Sequence, residues 1–310
     1  MRKFKLSVLG PVPPQELPAP GQEAALMKKH WERYLDYVLP EKPDLIVLPE
    51  CCNRFPAMPM SERLAYYRTQ QCQEVFDYFC KIAQNNNCCI AYSAARLLDD
   101  GSLRNSTRLI GRDGKVLTVY DKNFPMIEET QIQRLLPGEK ETAVDTEFGR
   151  TGFAICFDLN FDHLRERYMK QKINLLLFSS MYHGGIMQQY WAYSCRSYFA
   201  GAVCGCECAI IDPAGTKVAA STNYHPFATA QINTDYELVH LDGNWDKLKN
   251  AVKKYGEQIK IHDPGYLGSV LLTSETPEFT ASQIVDEFEI ERLDDYFNRV
   301  MDFFNRKQTE

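Results

Sequence analysis

The stretch Asp44-Leu-Ile-Val-Leu48, with Pro43 before it and Pro49 after it, limits the folds open to this chain more than any other feature. An apolar run that short between two prolines cannot make a helix, and its lack of alternation marks a strand covered on both faces. Gly152-Phe-Ala-Ile-Cys156 and Asn174-Leu-Leu-Leu-Phe178 have the same form. Segments with helical spacing fall between such runs, at residues 22–39, 61–86, 161–170 and 185–199, with Ser61 expected to cap the second. Further strands are predicted at 5–9, 88–98, 202–211, 217–220, 228–233 and 267–272, and a hairpin joins 108–111 to 116–120 across Arg112-Asp-Gly-Lys. Strands and helices that alternate along the whole length put helices on the outer faces of sheets, which is an α/β architecture. No fixed-period repeat or Gly/Ser linker interrupts it. Residues 1–310 therefore read as one domain, with a C-terminal extension from about residue 240 that carries a final helix over 287–305. Ile290, Leu293, Phe297, Val300 and Phe304 give that helix one apolar face.

Composition narrows the functional classes. With 45% hydrophobic residues, 17 Phe and 17 Tyr, the chain can fill a sizeable core, which excludes general disorder. Its 41 acidic and 35 basic side chains give a net charge of −6, the wrong sign for a protein that neutralises nucleic-acid phosphates. No apolar run approaches the roughly 18–20 residues of a membrane span, and the apolar stretch near the N-terminus is too short for a secretion signal. Eleven cysteines, an odd number, then read as reduced thiols in the cytoplasm. Cys204-Gly-Cys-Glu-Cys208 has the period of a strand that points three thiols to one face, not the two-residue spacers of a zinc or iron–sulfur site, so no metal is expected.

Three segments place a reactive side chain directly after a predicted strand. Leu45-Ile-Val-Leu-Pro-Glu50 ends in a carboxylate partly shielded from water, the setting a general base needs. Val119-Tyr-Asp-Lys122-Asn-Phe-Pro offers a positioned ammonium that can stabilise an oxyanion. Gly152-Phe-Ala-Ile-Cys156-Phe-Asp-Leu-Asn sets a cysteine at a strand–turn–helix elbow, where backbone N–H groups favour thiolate. Taken singly, each has a bland reading: a helix-capping Glu, a solvated Lys and a core thiol.

In this order, Leu-Pro-Glu50, Tyr-Asp-Lys122 and Gly-Phe-Ala-Ile-Cys156-Phe-Asp158 resemble the three motifs of the carbon–nitrogen hydrolase (nitrilase) superfamily. The likeness continues through Phe178-Ser-Ser-Met-Tyr-His-Gly-Gly185 and Asp212-Pro-Ala-Gly, and so covers roughly residues 3 to 235. It implies a four-layer α-β-β-α sandwich. It also implies that Cys156 is the nucleophile, that Glu50 is its base, and that Lys122 and the backbone N–H of Phe157 stabilise the tetrahedral intermediate. Members often carry a further carboxylate after the lysine; Glu128 and Glu129 both qualify, and Glu129 is favoured because Glu128 falls where relatives have Gly. No metal or organic cofactor has a role. Cys-Phe-Asp at the elbow is closer to amidases and N-carbamoyl hydrolases than to nitrilases, which implies a small-molecule amide or carbamoyl substrate. Nitrile hydrolysis and a catalytically silent binding protein are the alternatives. Asn160 stands where some relatives hold a substrate carboxylate with Arg; it, Tyr182 and His183 are candidates to contact substrate. A homodimer or a multiple of it is expected, from the family habit and from the aromatic residues of the predicted 185–199 helix and the final helix.

Overall fold

The computed structural model describes residues 3–307, so the outermost positions of the 1–310 reading lie outside the described residues. The chain forms two compact units that meet in sequence between Ile232 and Asn233.

The larger unit holds two six-stranded sheets. One contains β1 (Lys3–Leu9), β2 (Leu45–Val47), β3 (Cys89–Leu97), β4 (Leu103–Ile110) and β5 (Val116–Asp121), with β12 (Phe227–Asn233) beside β1. The other runs in reverse chain order, from β11 (Lys217–Ala220) through β10 (Ala209–Ile211), β9 (Tyr198–Val203), β8 (Leu175–Ser180) and β7 (Gly149–Ile155) to β6 (Ala143–Thr146). The centres of both sheets are parallel, β1–β2–β3 and β7–β8–β9, as unbroken apolar runs require.

Each sheet is covered on one face by helices. Ile46, Leu48, Ile90 and Tyr92 pack with Trp31 and Leu35 of α1 (Glu23–Val38) and with Val75 and Phe79 of α3 (Gln70–Asn86). Ala154, Leu176 and Phe178 pack with Leu164 and Tyr168 of α5 (Asp162–Gln171) and Trp191 of α6 (Met187–Cys195). The alternate residues, Leu45 and Val47 on one sheet and Phe153, Ile155 and Leu177 on the other, are equally buried, and β2 meets β8 and β9 between the sheets. Four layers result, in the order α-β-β-α. Short α2 (Met60–Tyr66) and α4 (Ile127–Gln131) lie at strand exits.

The smaller unit is an antiparallel sheet, ordered β13 (Tyr236–His240), β15 (Ser269–Ser274), β14 (Ile259–His262), with α7 (Trp245–Tyr255), α8 (Ala281–Glu287) and α9 (Leu293–Lys307). Val239, Leu248, Leu272 and Ile284 centre its core.

Several expectations need correction. The helix predicted over 61–86 is two helices, because Thr69 adopts extended backbone and its hydroxyl accepts from Cys72 N, which starts α3 afresh. Ser61 lies inside α2 and caps nothing; Pro59 holds the N-cap position. Cys204 to Cys208 is not a strand. Gly205 at φ +65° turns the chain there between β9 and β10, leaving Cys206 exposed and Cys204 and Cys208 buried. The helix predicted to reach residue 199 stops at Cys195, because Arg196 is left-handed, and Tyr198 and Phe199 belong to β9. The final helix starts at Leu293, not near 287, and Ile290 precedes it.

Candidate active site

Glu50 follows the exit of β2, where the Ser179 hydroxyl donates to Leu48 O at 2.7 Å and ties the two sheets together. The next residue, Cys51, is left-handed at φ +57° and turns the chain away, while Glu50 stays inside at 3% exposure. Lys122 follows β5. Its backbone N–H donates to Asn105 O at 2.9 Å and its carbonyl accepts from Gly138 N at 2.7 Å, so the side chain projects from a fixed base at 1% exposure. Cys156 follows β7 at φ +50°, an uncommon backbone for a residue with a Cβ, held as the first residue of a 3₁₀ turn over Cys156–Asn160.

What holds the elbow is Asp158. Its buried carboxylate accepts from the Tyr120 hydroxyl at 2.7 Å, Phe124 N at 2.8 Å and Ile155 N at 3.0 Å. One side chain from the cysteine segment thus grips the lysine segment on both sides of Lys122. Burial pushes Asp158 up to about 6, against the pull of these three donors.

The polar centre is a compact knot. Lys122 Nζ donates to Glu50 Oε1 at 2.9 Å and Glu129 Oε2 at 2.8 Å. Asn105 Nδ2 bridges the same carboxylates, at 2.7 Å to Glu50 Oε1 and 3.3 Å to Glu129 Oε1, and its own Oδ1 is buried without a donor. Met181 N donates to Glu50 Oε2 at 3.0 Å, and Met126 N to Glu129 Oε2 at 2.7 Å. Glu129 rather than Glu128 reaches the lysine, because the first turn of α4 points Glu128 outward, where it is exposed. Burial acts to lower the Lys122 pKa, but the adjacent Glu50 and Glu129 carboxylates help to outweigh it and the net direction is up.

A cavity of about 130 Å³ brings Glu50, Asn105, Lys122, Glu129 and Cys156 together, with Arg54 also in its wall. Burial pushes the Cys156 thiol up to about 12, with the Glu50 charge adding to the rise and Lys122 opposing it. Enclosure and the Glu50 carboxylate thus favour the thiol form, against the thiolate preference expected from the elbow. Arg54 Nε is buried with no hydrogen-bond partner among the described residues, and Arg54 shares the cavity wall with Glu50 and Glu129.

Three further candidates do not line this cavity. Asn160 is exposed, donates to Phe157 O at 3.1 Å and accepts from the Tyr182 hydroxyl at 3.0 Å, so both serve the turn. His183 Nδ1 accepts from Gly185 N at 3.1 Å. Phe157, at 38% exposure, follows the thiol directly. Sequence reasoning missed Asn105 and Arg54. The only trace of Asn105 is a polar Asn-Ser-Thr run inside an otherwise buried strand.

Residues 20–240 match the family model for carbon-nitrogen hydrolases, and the chain belongs to that family. It is similar to the omega-amidase NIT3 of Saccharomyces cerevisiae, 22% identical over 176 residues that cover 53% of this chain and 60% of that protein. It is also similar to the human omega-amidase NIT2, 26% identical over 166 residues, 49% of this chain and 57% of the other. The chain thus spans somewhat over half the length of these relatives. The fold matches the crystal structure of yeast Nit3, described as a member of branch 10 of the nitrilase superfamily, with TM-score 0.62 and 18% identity over 75% of this chain and 90% of that one. An amidase from Nesterenkonia sp. matches with TM-score 0.61 and 17% identity, covering 75% and 91%.

Proposed function

We propose that this protein is a thiol hydrolase that cleaves a C–N bond in a small amide. The observation that carries the reading is a buried thiol sharing one small cavity with two carboxylates that clasp one ammonium. A thiol with a pKa near 12 is not a nucleophile at neutral pH, so its proton must leave as the S–C bond forms. Glu50 takes that proton. Lys122 and the Phe157 backbone N–H hold the oxyanion. The tetrahedral adduct collapses by breaking C–N, and Glu50 hands its proton to the departing nitrogen, leaving a thioester on Cys156. Water then attacks the thioester carbon, gives a proton to a carboxylate and returns the thiol. Glu129 keeps Lys122 in place and borders the space where that water stands, while Asn105 Oδ1 is free to accept from the substrate amide N–H. No step calls for a metal or an organic cofactor.

The cavity is smaller than the roughly 300–1,000 Å³ of sites for larger ligands, which favours a substrate of few atoms. Arg54, unpaired at its Nε, favours an amide with an anionic far end, as does the naming of two relatives as omega-amidases. Carbamoyl substrates use the same steps. The deciding experiment is an ammonia-release screen over ω-amides, neutral aliphatic amides, carbamoyl amines and nitriles, with intact-mass detection of the acyl-enzyme. Turnover of nitriles alone, or of nothing while Cys156 stays unacylated, overturns the reading.

Eleven free thiols support a cytoplasmic setting. Among the described residues no helix is long and apolar enough to cross a membrane. The homodimer proposal now rests on α9, whose Phe297, Met301, Phe303 and Phe304 are between 42% and 60% exposed, because Trp191, Tyr198 and Phe199 are buried in their own unit. A 36 kDa species by light scattering at micromolar concentration overturns it.

A further inference from the structure

A second cavity, of about 220 Å³, adjoins the first and shares Tyr67 and Ala95 with it. Arg68, Arg96, Arg108, Thr69 and Gln70 line it, and no aspartate or glutamate does. Two of the arginines are occupied. Arg96 donates to both Asp121 oxygens at 2.8 and 2.9 Å and to Ser106 Oγ at 3.1 Å. Exposed Arg68 donates to the carbonyls of Leu64 at 2.7 Å and Gly101 at 3.5 Å, and has no carboxylate partner among the described residues.

Arg108 is different. Its guanidinium lies 3.6 Å from the Phe76 ring centroid and 5.1 Å from that of Tyr92, and its Nε is buried without a hydrogen-bond partner. Ring faces attract a cation but accept nothing from its N–H edge. The ionisable groups that face Arg108 are Tyr92, Cys72, Cys52, Cys80 and Arg96. Burial pushes the three thiols and the phenol up, so four of these are neutral and the fifth is a like charge. Among the described residues this cation therefore has no counter-ion, a destabilising arrangement that a bound anion would relieve. The N-terminus of α3 opens on the same space, where Thr69 caps one N–H and Gln70 begins the helix.

We propose that this cavity is a binding site for a small oxyanion, a phosphate or a carboxylate, held by Arg108 with Arg68 on its rim. The proposal does not depend on the hydrolase reading, because it concerns binding to the resting protein.

The test is thermal unfolding of the full chain at fixed pH and ionic strength, titrated with sodium phosphate or sodium succinate against sodium chloride. At saturation, phosphate or succinate is expected to raise Tm by about 3 °C or more over chloride. The effective anion tells the phosphate source from the carboxylate source. Arg108→Met should abolish the shift, and Arg54→Met should leave it intact, which separates this cavity from the first. If neither anion shifts Tm, or the shift survives in Arg108→Met, the proposal is overturned. Should Arg108→Met fail to fold, Arg68→Ala, an exposed change, decides the matter. A roughly tenfold weaker apparent affinity supports the site, and unchanged affinity overturns it.

Discussion

Lys122 is a buried and Arg108 a half-buried cation of the larger unit, and their pKa values shift in opposite net directions. Desolvation acts on each to favour the neutral form. For Lys122, two carboxylates within 3.0 Å reverse it; for Arg108, ring faces and neutral thiols do not. A cation clasped by its own chain is preorganised to act on whatever arrives, without moving. One left without a counter-ion has its attraction still to be satisfied from outside. Arg54, in the wall of the Lys122 cavity, likewise has a buried Nε with no hydrogen-bond partner.

This contrast breaks or sharpens at defined points. The largest effect expected is that of Cys156→Ala, which should lower kcat by about 10⁴ or more while the circular dichroism stays native; a comparable loss from Cys208→Ala would move the chemistry elsewhere. Lys122→Met should cost about 10²–10³ in kcat and also lower Tm, because it leaves the buried Glu50 and half-buried Glu129 carboxylates without their shared cation. In chloride, Arg108→Met should leave Tm unchanged or higher. Equal losses of Tm in the two variants would end the distinction between them. Glu129→Gln should reduce turnover well beyond Glu128→Gln, since only Glu129 touches Lys122; the reverse order would exchange their roles.

A smaller effect reports on the thiol itself. With the Cys156 pKa raised to about 12, its thiolate fraction grows tenfold per pH unit throughout the neutral and mildly alkaline range. Its alkylation rate by iodoacetamide should climb accordingly from pH 7 to pH 10, and a plateau near neutrality would mean that Lys122 dominates over burial. Smallest is Tyr120→Phe, which removes one of three donors to Asp158 and should cost about 1–2 kcal/mol in denaturant unfolding.

Glu50, Lys122 and Cys156 were legible because each follows a strand whose pattern is unmistakable, and strand exits are where a sheet presents side chains. The sandwich was legible for a related reason, since Leu45 to Leu48 has no polar face to give to water. Asn105 was hidden: it stands mid-strand in β4, paired with Ala95, and only the antiparallel register of β3 and β4 turns it toward Glu50. Arg54 and Arg108 were hidden because what matters is the missing partner, and local sequence cannot reveal an absence in space. The Cys204–Cys208 turn misled because glycine between cysteines satisfies a period of two and also permits the positive φ that ends a strand.

The Asp158 carboxylate also sets how this region can come apart. Ile155 N and Phe124 N, from segments separated by more than thirty residues of chain, end on the same side chain. Neither amide can be released without disturbing the anchor of the other. Their exchange with deuterated solvent should therefore follow a shared opening event, with similar protection factors and a common denaturant dependence. Asp158→Asn should accelerate both together, so the elbow and the lysine segment would breathe as one unit.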